Sequence, residues 1–112
     1  MSEPLVEIVT TVSTEGDGAR IARGLLADRV AACVTLRHVR SMYRWAGELC
    51  DGKEVEVVIK TLASCADEIE ARLRDLHPYE VPAILRIPVF RVNDEYASWV
   101  ERSVQAPPEP AS

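Results

Sequence analysis

The sequence predicts an α+β fold of ferredoxin-like order, β-α-β-β-α-β with an additional C-terminal helix. Three observations carry that expectation. Runs of alternating apolar residues recur at Leu5 to Val12, Val34 to Trp45 and Val55 to Ile59; two amphipathic stripes of helical period lie between them; and a proline-fenced strand follows the second stripe. Leu5 to Val12 is rich in β-branched residues and reads as the first strand. Thr14, with Asp17 three positions later, has capping-box spacing, and Ile21, Ala22, Leu25, Leu26 and Val30 form the stripe of a first helix.

The segment "AACVTLRHVRSMYRW" changes phase. Val34 and Leu36 share one strand face, whereas Val39, Tyr43 and Trp45 have the opposite parity, so a one-residue bulge near Arg37 and His38 is expected to bring both sets to one side. Asp51 and Gly52 suit the positive φ angles of a two-residue hairpin turn, which makes strands two and three antiparallel neighbours. Val55, Val57 and Ile59 then alternate with Glu54, Glu56 and Lys60, one face buried and one wet, with Val58 interrupting the wet face.

Ser64 and Asp67 repeat the capping-box spacing, and Ala66, Ile69, Leu73 and Leu76 supply a second helical stripe that must end before Pro78. "VPAILRIPVF" reads as a fourth strand, and Pro88 confines it to an edge or bulge. Asn93 is placed to cap a last helix carrying Tyr96, Trp99 and Val100 on one face. Residues 1–104 therefore form a single domain, and the Pro-rich stretch 105–112 is expected to be disordered. Two helices cover one face of such a sheet; the other face needs an oligomer, or the last helix folded back.

Composition excludes several classes. An apolar fraction of 47% and a charged fraction of 28% are those of a globular chain. A net charge of −5 opposes attraction to nucleic acid or anionic lipid. The N-terminus has no basic stretch and too short an apolar run for a signal peptide, and no apolar run approaches a membrane span, so a cytoplasmic protein is expected. Cys33, Cys50 and Cys65 form neither an even disulfide set nor a CxxC pair, and free thiols fit a reducing compartment.

The stretches "LLADRVAACVTL", "SMYRWAGEL", "VVIKT", "HPYEVPAILRIPV" and "NDEYASWV", in this order and spacing, resemble the CutA family of divalent-cation tolerance proteins. The resemblance spans most of residues 5–102. It implies a ferredoxin-like protomer in a tight homotrimer, similar in architecture to the PII signalling proteins, with links to copper and other divalent ions and no established enzymatic reaction. The chain departs from the family at Thr35, where many members carry Asn, and at Ala83, where an acidic residue is common. Thr10 and Thr11 also stand where some relatives carry a thiol, which weakens any site built on several thiols.

The chemistry legible in the residues is sparse. Cys33 reads first as a small buried hydrophobe, Cys50 as an exposed thiol beside the turn, and Cys65 as a helix-terminal thiol without a base partner. His77 reads first as a corner residue at the end of the second helix, since Pro78 stops that helix and Pro82 holds Val81 extended. Copper or zinc would prefer imidazole and thiolate, which makes Cys33 and His77 the metal pair to test, with no cofactor required. Tyr43 and Trp45 are the expected interface aromatics. Glu54 and Glu56, and the basic run Arg37, His38, Arg40 and Arg44, read as solvated strand faces.

No HExxH, GxSxG, Gly-rich phosphate loop or paired CxxC occurs, so no enzyme is expected. The leading expectation is a cytosolic homotrimeric tolerance or regulatory protein that binds divalent metal weakly. The alternative is a PII-like sensor that takes a small anionic ligand between protomers.

Overall fold

The computed structural model describes residues 3–104. Its elements are β1 (Leu5–Val12), α1 (Glu15–Ala27), β2 (Cys33–Trp45), β3 (Glu48–Leu62), a 3₁₀ turn (Ala63–Cys65), α2 (Ala66–Leu76), β4 (Leu85–Pro88) and α3 (Asp94–Ser103). The four strands form one antiparallel sheet in the order β2-β3-β1-β4, the ferredoxin-like arrangement. Short β4 is an edge strand, where Pro88 leaves no central ladder bond unmade. The stretch 105–112 lies outside the described residues, as does any statement on its expected disorder.

Strand alternation sorts the core. Val6, Ile8 and Val12 of β1 and Val55, Val57 and Ile59 of β3 face α1 and α2 and pack with Ile21, Leu25, Ile69 and Leu73. α1 can approach closely because residue 18 is glycine: a Cβ there would lie 3.3 Å from the Leu36 side chain. α3 folds back onto the opposite face, where Ala97, Val100 and Val104 bury Leu5, Leu62 and Ala32. The fold-back expected as an alternative to an oligomer is therefore real but partial, since α3 covers one end of that face only.

Helix ends follow local chemistry in α1. Thr14 Oγ1 accepts the Asp17 amide at 3.1 Å, as the spacing predicts. At its C-terminus Arg29 adopts φ +59°, with the Arg29 amide on the Leu26 carbonyl and the Val30 amide on that of Leu25, the paired bonds of a Schellman motif. The expected Ser64 cap does not form. The 3₁₀ turn moves the N-cap of α2 to Cys65, which makes no side-chain cap bond, and the Ser64 amide binds Glu3 instead. Asn93 occupies the N-cap position of α3 without a side-chain cap bond.

Two further expectations are corrected in the β2–β3 hairpin. Its turn is Ala46-Gly47, with φ +52° and +80°, and not Asp51-Gly52, which lies inside β3 opposite Met42 and Ser41. The ladder also runs from Cys33↔Lys60 to Trp45↔Glu48 without a bulge. The reason is burial. This register sets Val34 and Leu36 opposite Ile59 and Val57 on the helix-covered face, whereas a turn at Asp51-Gly52 would oppose Val57 and Ile59 to Ala46 and Arg44. Burying two more apolar side chains outweighs the strain of one alanine in the left-handed region, which is about 1 kcal/mol.

Candidate functional site

Without a bulge, Tyr43 and Trp45 project from the face opposite α1 and α2, beside Cys50 and Glu48 respectively. β1 stops at Val12, paired with Val55, so the parts of β2 and β3 nearer the turn continue as a two-stranded arm. That arm exposes Met42, Tyr43, Trp45 and Leu49, and Leu49 is 71% accessible.

At the base of the arm lies an open cleft of about 840 Å³, lined by Thr11 and Ser13 from the end of β1, Arg40 to Tyr43 and Trp45 from β2, Glu54 from β3, and Tyr79, Glu80, Val81 and Ala83 from the α2–β4 connector. The connector is pinned there by a chain of hydrogen bonds. Tyr79 Oη donates to Glu54 Oε2 at 2.5 Å and accepts from Ser13 Oγ at 3.0 Å. Burial first, and then the bond to the Glu54 carboxylate, push the Tyr79 phenol above its usual range.

His77 holds the other end of the connector. The Tyr79 amide can only donate, so His77 Nδ1 accepts it at 3.1 Å; Nε2 therefore carries the proton and donates to the Thr11 carbonyl at 2.8 Å. The rings of His77 and Tyr79 stack edge-on with centroids 4.8 Å apart. The imidazole thus bonds the end of β1, not the last carbonyls of its own helix. Both of its nitrogens are occupied.

Cys33 is elsewhere. It sits opposite Lys60 on the face covered by α3, where its thiol and then Glu7, after burial, raise the Tyr96 phenol. Thr11, which receives the His77 ring, sits opposite Glu56. The four-residue offset along β3 separates the two positions by about 13 Å in the strand direction alone. The structure therefore does not bring Cys33 and His77 together, and among the described residues no three His, Cys, Asp or Glu side chains are grouped to hold a metal ion. The donor set of the described residues does not fit a tightly bound divalent ion.

The basic run is also largely consumed. Arg37 pairs with Glu56, and Arg40 holds Asp51 through two bonds of 2.9 and 2.7 Å, which keeps the Asp51 carboxyl below its usual range. His38 Nε2 lies 3.0 Å from Glu15. Cys50 is half-buried beside Tyr43, not fully exposed as its place near the expected turn implied. Sequence patterning passes over Ser13 and marks Glu54 as part of a solvated strand face, whereas Glu54 accepts the Tyr79 hydroxyl; the one signal for Tyr79 is the proline fence that presents it on a short connector.

Fold and site together define an α+β chain of ferredoxin-like topology with a projecting hairpin arm and a polar cleft at its base. The family model described as CutA1 divalent ion tolerance protein matches residues 6–103. The divalent-cation tolerance protein CutA of Pyrococcus horikoshii is 36% identical over 96 residues, covering 86% of this chain and 94% of its own. That of Pectobacterium atrosepticum is 37% identical over 106 residues, covering 91% and 96%. The solved structure of CutA from Synechococcus elongatus superposes with a TM-score of 0.89 at 28% identity, covering 94% and 95%. The chain belongs to the CutA1 divalent ion tolerance family.

Proposed function

We infer that the protein acts in divalent-cation tolerance as a cytoplasmic homotrimer, without catalysis, and that Tyr43 and Trp45 lie in the contact between protomers. The observation that supports assembly is the apolar surface left open on one face. Tyr43 and Trp45 are 47% and 50% accessible, and Leu85 and Ile87 of edge strand β4 are exposed on the same side of the sheet. The number three rests on the likeness to the CutA and PII-like architecture, and the compartment on three free cysteines. Copper or another divalent ion would bind weakly to such a chain, because Cys33 and His77 do not converge and a further protomer must complete any ligand set.

The anion-sensor alternative has less support. Arg40 is the one cation among the described residues that line the cleft, and Asp51 already neutralises it.

Light scattering coupled to size exclusion tests the assembly. A trimer is expected for the native chain, and Trp45→Ala should weaken it, since removing a buried interfacial aromatic costs about 2 kcal/mol or more. A concentration-independent monomer would overturn the reading.

A further inference from the structure

We propose that α3 is a latch over one end of the sheet, with Arg29 as its catch, and that opening of this latch governs access to the Cys33 thiol. The latch lies away from the protomer contact: Cys33 begins β2, whereas Tyr43 and Trp45 stand at the other end of that strand, beside the turn.

α3 depends on docking. A helix of ten residues is marginal in water by itself. Its anchoring surface is small: Ala97 and Val100, with Val104 at the C-cap, pack on Leu5, Ala32 and Leu62. Docking also buries Glu101 Oε1, which has no hydrogen-bond partner among the described residues. A buried unpaired carboxylate oxygen favours the open state, where water reaches it. An element with few apolar anchors and such an unpaired group belongs to the low-stability end of a structure, and opens without the rest of the sheet unfolding.

Arg29 opposes that opening. Its Nε and Nη2 donate to the carbonyls of Ser103 and Arg102 at 3.4 and 3.3 Å, in the last turn of α3, where the helix itself supplies no donors. The positive charge also complements the negative end of the helix dipole. The guanidinium is presented from a fixed corner, since the Arg29 backbone sits at φ +59° with its amide on the Leu26 carbonyl at the end of α1. One residue thus ends two helices. Glycine would serve the first role without strain, and only the side chain serves the second.

Beneath the latch lies the thiol. Cys33 is half-buried on the face that α3 covers, next to Ala32 in the chain and against Tyr96 of α3. Lifting α3 withdraws Tyr96 and exposes the sulfur to an oxidant or another thiol reagent.

The test is N-ethylmaleimide labelling of the full chain without denaturant, the modified cysteine being located by peptide mass spectrometry, together with hydrogen exchange of the backbone amides. The thiolate sulfur adds across the maleimide double bond, so the step needs no co-reactant. Arg29→Gly keeps the corner and removes the catch. The relief of backbone strain is common to the closed and open latch, so the lost bonds alone set its opening; in global unfolding the two effects offset each other. Labelling of Cys33 and exchange in α3 should therefore quicken about tenfold in Arg29→Gly, while the β3 amides exchange nearly as in the native chain. A purely structural loss would move α3 and β3 together. Unchanged Cys33 labelling in Arg29→Gly, equal acceleration of the α3 and β3 amides, or native Cys33 labelling no faster than exchange of the β3 core would each overturn the proposal.

Discussion

The Tyr79 phenol donates a 2.5 Å hydrogen bond to the Glu54 carboxylate, and through it the α2–β4 connector is fastened to the central strand β3 at the base of the arm. Hydrogen bonds to a charged acceptor are among the stronger ones, although partial exposure discounts this one. Tyr79→Phe should lower stability by about 1 kcal/mol.

The same bond carries a pH signature. Folding raises the Tyr79 pKa, mainly through burial and then through Glu54, so the folded chain holds this proton more tightly than the unfolded chain. The stabilisation is fully present below the unfolded value near 10 and is lost as pH rises through the higher folded value. Urea midpoints measured on the alkaline side should therefore fall for the native chain and fall less for Tyr79→Phe. Tyr96, also raised chiefly by burial, keeps part of the slope in that variant. Identical slopes would remove Tyr79 from the account.

His77 bridges Thr11 and Tyr79 with both ring nitrogens, so His77→Ala unpairs a carbonyl and an amide at once. A loss of about 2 kcal/mol is expected in chelator-treated buffer. Chemical denaturation with and without added copper checks this. Tight copper binding abolished by His77→Ala, with metal-free stability unchanged, would instead make the imidazole a ligand first.

Thr10 and Thr61 are both fully buried, but only Thr61 is satisfied, its Oγ1 donating to the Val30 carbonyl at 2.6 Å; Thr10 Oγ1 has no partner among the described residues. The same substitution should act in opposite directions. Thr61→Val orphans a buried carbonyl and should cost about 1–2 kcal/mol, whereas Thr10→Val removes an unpaired hydroxyl and should be neutral or stabilising. Melting temperatures of the two variants decide it. Equal losses would mean that Thr10 has a bonding partner in solution.

Ala46 adopts φ +52° at the first position of the hairpin turn. Asparagine tolerates that conformation far better, and Asn-Gly is the preferred pair for such turns. Ala46→Asn should raise stability by about 1 kcal/mol, read from the denaturation midpoint. A decrease would show that the turn is held by other contacts.

The order of strands and helices was legible in the sequence because alternation and helical stripes are local properties. β1 runs from Leu5 to Val12 as its β-branched pattern predicts, and Thr14 caps α1 from its spacing to Asp17 alone. The resemblance of the quoted motifs likewise carried the family. Three things required the tertiary structure. The hairpin register was decided by burial of Val34 and Leu36 against β3, which overrode the better local turn chemistry of Asp51-Gly52. The positions of Cys33 and His77 depend on which strand each meets, which no spacing in a single sequence states. The cleft joins Ser13, Glu54 and Tyr79, which are up to 66 residues apart in the chain. Long-range contacts of that kind exist only once β1 has been laid against β3, since pairing those strands is what brings the end of one beside the middle of the other.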